Sequence, residues 1–179
     1  MAIAKASAKQ SSAQSNRTWK ITALVLAILF AITIICCWHM KASAMQICKT
    51  NNLSLTAGQQ EGAAGTVYQH MIFTNTGHYK CHMSGFPTAF LYGSNGYAIG
   101  NSAAARVQPA PVDITLAPNE SANTVLGYPQ AGNFEPGVCS NEKSVSVKIY
   151  PPSSTTALEA SVAVAWCPGF SESSMQPGN

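Results

Sequence analysis

Five side chains with donor atoms suited to chemistry lie near one another in the sequence: His70, Met71, His78, His82 and Met83. Imidazole and thioether ligands together suit copper, so this grouping frames a metal-handling reading. Against it, His70 and Met71 are adjacent and point to opposite faces of any regular strand. His78 and His82 flank Cys81, in a loop where exposed histidines are common. The plainer reading, surface or core-edge side chains, is preferred, and no metal ligand or cofactor is assigned.

Acid–base and nucleophilic catalysis need positioned groups, and the inventory is poor. Asp113 is the only aspartate, and the six glutamates are spread widely. Gly93-Ser94-Asn95-Gly96 places its serine one position too early for a nucleophile elbow, and there is no glycine-rich phosphate loop ending in Lys-Ser or Lys-Thr. A Ser/His/Asp triad, whose members meet only in space, is the remaining enzymatic alternative. The chain reads as non-enzymatic, with no catalytic residues.

Cysteine chemistry carries more weight. Cys36 and Cys37 lie inside an apolar run, and Cys48, Cys81, Cys139 and Cys167 are spread through the rest. Four cysteines allow three pairings. Cys139 and Cys167 lie fourteen residues either side of Ser153, the tip of an evident hairpin, and Cys48 and Cys81 bracket a turn region from Gly58 to Gly65 in the same way. That symmetry favours Cys48 with Cys81 and Cys139 with Cys167. Free or metal-binding cysteines are the alternative, which the lack of any C-x-x-C spacing disfavours.

Charge divides the chain. Residues 1–44 hold Lys5, Lys9, Arg17, Lys20 and Lys41 with no acid, whereas residues 45–179 hold five bases and seven acids. Those later bases are scattered among acids, so the basic stripe of a nucleic-acid binder is missing. Residues 21–38 carry no charge, long enough as a helix to cross nearly all of a hydrocarbon core. The basic flank places the N-terminal side in the cytoplasm and sends the chain beyond Lys41 outward. A retained anchor is favoured because the run exceeds an ordinary signal core. Cleavage after Ala42-Ser43-Ala44, releasing a secreted protein from Met45, competes with it. A lipoprotein reading at Cys36 is weaker, because Thr33-Ile34-Ile35 lacks the small residues expected before a lipid-modified cysteine.

Hydropathy and turn chemistry divide the scaffold in the same places. Residues 1–18 read as a disordered cytoplasmic tail, 19–40 as the membrane helix, 41–47 as a linker, 48–168 as a β ectodomain and 169–179 as a polar C-terminal tail. Ser144 to Tyr150 alternates with Val145, Val147 and Ile149 facing inward, and Pro151-Pro152-Ser153-Ser154 turns the chain. The return strand brings Leu158, Ala160, Val162, Val164 and Trp166 inward. Further strands are expected at 51–56, 66–75, 86–92, 97–100, 112–116 and 122–128, separated by glycine, proline and asparagine. The fold class is all-β: an antiparallel immunoglobulin-like β-sandwich of about eight strands with two disulfides, preceded by one transmembrane helix.

A series of landmarks runs along this ectodomain: Gly62-Ala63-Ala64-Gly65-Thr66-Val67-Tyr68, Phe73-Thr74-Asn75-Thr76-Gly77, Cys81-His82-Met83-Ser84-Gly85-Phe86-Pro87 and Gly96-Tyr97-Ala98-Ile99-Gly100. Leu116-Ala117-Pro118-Asn119-Glu120-Ser121-Ala122, Cys139 and Val147-Lys148-Ile149-Tyr150-Pro151-Pro152 continue it. Over about residues 48–167 the chain resembles the domain-of-unknown-function family 4232, found in exported, often membrane-anchored or lipoprotein, proteins of actinobacteria. The resemblance implies a secreted, disulfide-bonded β-sandwich without an established activity, so it brings no functional residues. Asn119 departs from the glycine such proteins commonly carry after the proline, and asparagine also visits the left-handed region. Physically, these landmarks read as structural elements.

The expected role is an interaction module of the cell envelope that binds an unknown protein or envelope component through loops at one end. Exposed aromatics near Tyr128, Phe134 and Tyr150 are its expected contact surface. The alternative is an extracytoplasmic copper-binding protein. Asn52-Leu53-Ser54 and Asn119-Glu120-Ser121 match the N-glycosylation pattern, which matters only in a host with that machinery.

Overall fold

The computed structural model describes residues 19, 23–32 and 45–178. The chain divides into two compact units, Met1–Ala44 and Met45–Asn179. In the first, residues 23–32 form a helix whose apolar side chains, Leu24 and Phe30 among them, are exposed. No helix among the described residues is long and apolar enough to cross a membrane. The expected tail over 1–18, half of the expected membrane helix over 19–40 and residues 41–44 lie outside the described residues.

The second unit is built from strands. They are β1 (Gln46–Ile47), β2 (Leu53–Ala63), β3 (Thr66–Asn75), β4 (Cys81–Met83), β5 (Thr88–Tyr92), β6 (Ala98–Ile99) and β7 (Ala104–Ala105). Next come β8 (Ile114–Leu116), β9 (Ser121–Pro129), β10 (Ser146–Tyr150), β11 (Leu158–Ser161), β12 (Ser171–Glu172) and β13 (Gln176–Pro177). Three sheets result, ordered β1-β4-β8, β11-β10-β5-β6 and β2-β3-β9-β12-β7, with β13 also pairing β9. Two pairings, β1 with β4 and β12 with β7, are parallel, so the sheets are not antiparallel throughout. The strands also exceed the expected eight. Those of two residues are too short for an alternation of period two to show in sequence.

Alternation on the long strands builds the core. Met71 and Phe73 on β3, Ala122 and Leu126 on β9, Ala89 and Leu91 on β5, and Val147 and Ile149 on β10 are fully buried in one hydrophobic cluster. The third sheet adds Met83, Ile114 and Leu116 to it. Asn75 is buried there too, and it is satisfied. Its Nδ2 donates to the carbonyls of Tyr79 and Leu116 at 2.9 and 3.0 Å, and its Oδ1 accepts the Gly77 N–H.

Three expectations need correction. First, β2 continues through Gly58 to Ala63 and does not stop at Thr56, because a bulge between Ala57 and Gln60 absorbs the irregularity. The true turn is Ala64-Gly65, both left-handed with φ of 48° and 75°. Second, Val145 faces outward. Its N–H and the register position of Ser146 both fall opposite Tyr92, which shifts the alternation, and Ser144 is buried instead with its Oγ donating to the Val162 carbonyl. Third, the polar tail expected over 169–179 is folded into the domain over residues 170–177. Phe170, Glu172, Ser173, Ser174 and Met175 are buried, and β12 and β13 both pair with β9. The two serines are matched by partners within the fold: Ser173 Oγ accepts the Val125 N–H and Ser174 Oγ donates to the Pro109 carbonyl.

Candidate functional site

Both expected disulfides are present, Cys48–Cys81 and Cys139–Cys167. The first fixes the chain just after β1, where the Cys48 N–H donates to the His82 carbonyl at 2.9 Å. A single 3-10 turn, Thr50–Asn52, comes immediately after it. Facing it is the tip of the β10–β11 hairpin. Pro151 and Pro152 end β10, since proline gives a ladder no donor, and Ser153 takes a left-handed φ of 62°.

Hydroxyls join these two segments. Thr50 Oγ1 lies 2.6 Å from Ser154 Oγ and 3.1 Å from the Thr156 carbonyl, and Ser154 Oγ also accepts the Thr156 N–H. Between them opens a groove of about 500 Å³. Its rim carries Lys49, Asn51, Ser153 and Thr155, all exposed, whose side chains bond to no other described residue. The groove therefore has a fixed floor and free donors above it. One cation and several neutral hydroxyl and amide groups suit a hydrogen-bonding, hydroxylated or weakly anionic ligand.

A second concavity of about 430 Å³ lies over the outer faces of β3 and β9, with Gln59, His70, Ile72, Ser121 and Asn123 in its wall. His70 is thus parted from Met71, which is fully buried on the inner face. His78 is exposed in the loop after β3 and Met83 is in the core. His82 is partly buried, with an Nδ1 that has no hydrogen-bond partner. No three His, Cys, Asp or Glu side chains gather as a metal site among the described residues.

The expected aromatic contact surface does not form. Tyr128 is buried and stacks on Phe170 with centroids 5.4 Å apart, Phe134 is half-buried, and Tyr150 packs edge-on against Phe90. Tyr128 obeys the inward alternation of β9, which overrides its place beside a proline. The groove residues escaped sequence reading because its walls are more than a hundred residues apart; the Ser-Ser-Thr-Thr run at 153–156 is the one local hint. Glu172 also escaped notice. Burial raises its carboxyl pKa from 4.5 to about 8, offset in part by the hydrogen bond from the Ala89 N–H.

A family model described as a domain of unknown function (DUF4232) matches residues 48–176. The chain belongs to DUF4232. The DUF4232 match takes in both disulfides, both walls of the groove and the C-terminal β12, so these belong to one domain. Neither the curated proteins nor the solved structures offer a match to the chain. Asn119, where a glycine was expected for DUF4232, has a φ of 68°, and its N–H donates to the Asn75 carbonyl at 2.7 Å.

Proposed function

We propose that this chain is a non-catalytic, exported binding module. An immunoglobulin-like scaffold is anchored in the cell membrane through residues 21–38, with the unit from Met45 onward outside the cytoplasm. The groove between Lys49–Asn51 and Ser153–Thr156 engages a protein or another component of the cell envelope. Support for export comes from the charge-free run behind a basic flank and from two disulfides, which persist in oxidising compartments. Support for binding comes chiefly from one observation. The floor of the groove is locked by the Thr50–Ser154 hydrogen bond beside the Cys48–Cys81 bond, while the polar rim has no partner of its own among the described residues. Loops held on a rigid scaffold lose little freedom when a ligand arrives.

Photocrosslinking in native cells tests this. A photoreactive residue at Ser153 or Thr155 of the full chain is expected to capture the same species, and one at Ala131, beside the Ala64-Gly65 end of the β2–β3 hairpin, is not. Equal capture from both ends, or none from the groove, would remove the groove from the reading.

A further inference from the structure

Seven acids occur in the chain, and six are exposed. Glu172 is the exception. On β12 it stands in register with Leu126 of β9, which is fully buried, and its own side chain is buried on that inward face. The carboxyl reaches β5, where it accepts the Ala89 N–H. That edge of β5 has no strand beside Ala89; its carbonyl is taken by the Ala103 N–H. The other carboxyl oxygen, Oε2, is buried with no hydrogen-bond partner.

Among the described residues, no cation offsets this carboxyl from any side. Arg106, the residue that follows β7, lies on the opposite face, its guanidinium 5.2 Å over the Tyr68 ring and its Nη2 donating to the Val125 carbonyl at 2.8 Å. From β9 the titratable neighbour on the inner face is Tyr128, whose buried phenol is itself pushed far above its usual range. From β3 the inner face presents Gln69, which is neutral, and from β5 and β10 it presents Ala89, Leu91, Val147 and Ile149. A protonated acid is tolerable here, with one oxygen bonded and no charge. A carboxylate would be a buried charge with a single hydrogen bond, which is costly.

The segment that Glu172 holds in place is short. β12 and β13 have two residues each, and the stretch between them is tied by the Ser173 N–H to Val125 and the Met175 N–H to Gly85. We propose that Glu172 is a proton-operated latch: protonated, it keeps residues 171–177 inserted along β9, and on ionising it releases them and uncovers the β9 edge.

Below pH 4.5 the carboxyl is protonated whether the segment is docked or free, so docking does not depend on pH there. Between 4.5 and about 8 the free segment gives up its proton while the docked one keeps it, and docking weakens as pH rises. Above about 8 both forms are ionised and the weakening stops. Hydrogen exchange on the full-length chain, corrected for the chemical exchange rate, is the test. The opening constant of amides 171–177 is expected to rise by up to about tenfold per pH unit within that window. In Glu172→Gln, whose amide stays neutral and can still accept the Ala89 N–H, it is expected to stay flat. A pH-independent opening constant in the natural chain, or the same slope in E172Q, overturns the proposal. Carbon-13 NMR of the Glu172 carboxyl in the unaltered protein decides the point without the variant: titration at the ordinary glutamate value, near pH 4.5, also overturns it.

Discussion

Two buried polar residues show how differently a polar atom can sit in this core. Asn75 commits its whole amide to the Tyr79 and Leu116 carbonyls and the Gly77 N–H, which pins the turn after β3. Tyr128 does the reverse: its ring stacks on Phe170 and its hydroxyl is buried with no partner. A buried polar group left unpaired costs about 1–3 kcal/mol, so removing it recovers part of that. Tyr128→Phe is expected to keep the stack and raise stability by about 1 kcal/mol, seen as a higher denaturant midpoint at unchanged slope. A lower midpoint would mean that the hydroxyl is satisfied.

Among the elements, the β2–β3 hairpin carries a strained residue at its tip. Ala64 takes a φ of 48° beside Gly65 at 75°, the paired left-handed conformations of a two-residue hairpin turn. Glycine tolerates this, but in alanine it costs about 1 kcal/mol, and asparagine is favoured there. Ala64→Asn is therefore expected to stabilise the domain by about 0.5–1 kcal/mol, measured as a rise in thermal midpoint. The strands that were legible in sequence are those long enough to show a period. The β10–β11 hairpin announced itself through Val147, Ile149 and Leu158 around two prolines, and its symmetry placed Cys139 opposite Cys167. The two-residue strands could not show a period, and β12 was hidden further. Its neighbours Ser173 and Ser174 look exposed by composition but are buried, because Thr124, Val125 and Pro109 supply their hydrogen bonds. Of the groove, sequence offered only the hydroxyl run at 153–156 that follows the Pro151-Pro152 turn. Its other wall comes into place through the fold.

For the whole molecule, the contrast between a basic, apolar first part and a weakly acidic β unit frames the anchored reading. If residues 1–44 are retained as that reading requires, protein extracted from native membranes is expected at its full 18.8 kDa by intact mass. A species beginning at Met45 would replace the anchor with a cleaved leader. The disulfides bear on such a tethered protein in a further way. Each closes a ring around one hairpin, β2–β3 within a separation of 33 residues and β10–β11 within 28. Tension applied between Met45 and Gly178 passes across the sulfur bridges, so neither ring can be drawn out, which withholds about 200 Å of chain from stretching. Lys49–Asn51 lie inside the first ring and Ser153–Thr156 inside the second, so a load borne by the tether bypasses both walls of the groove.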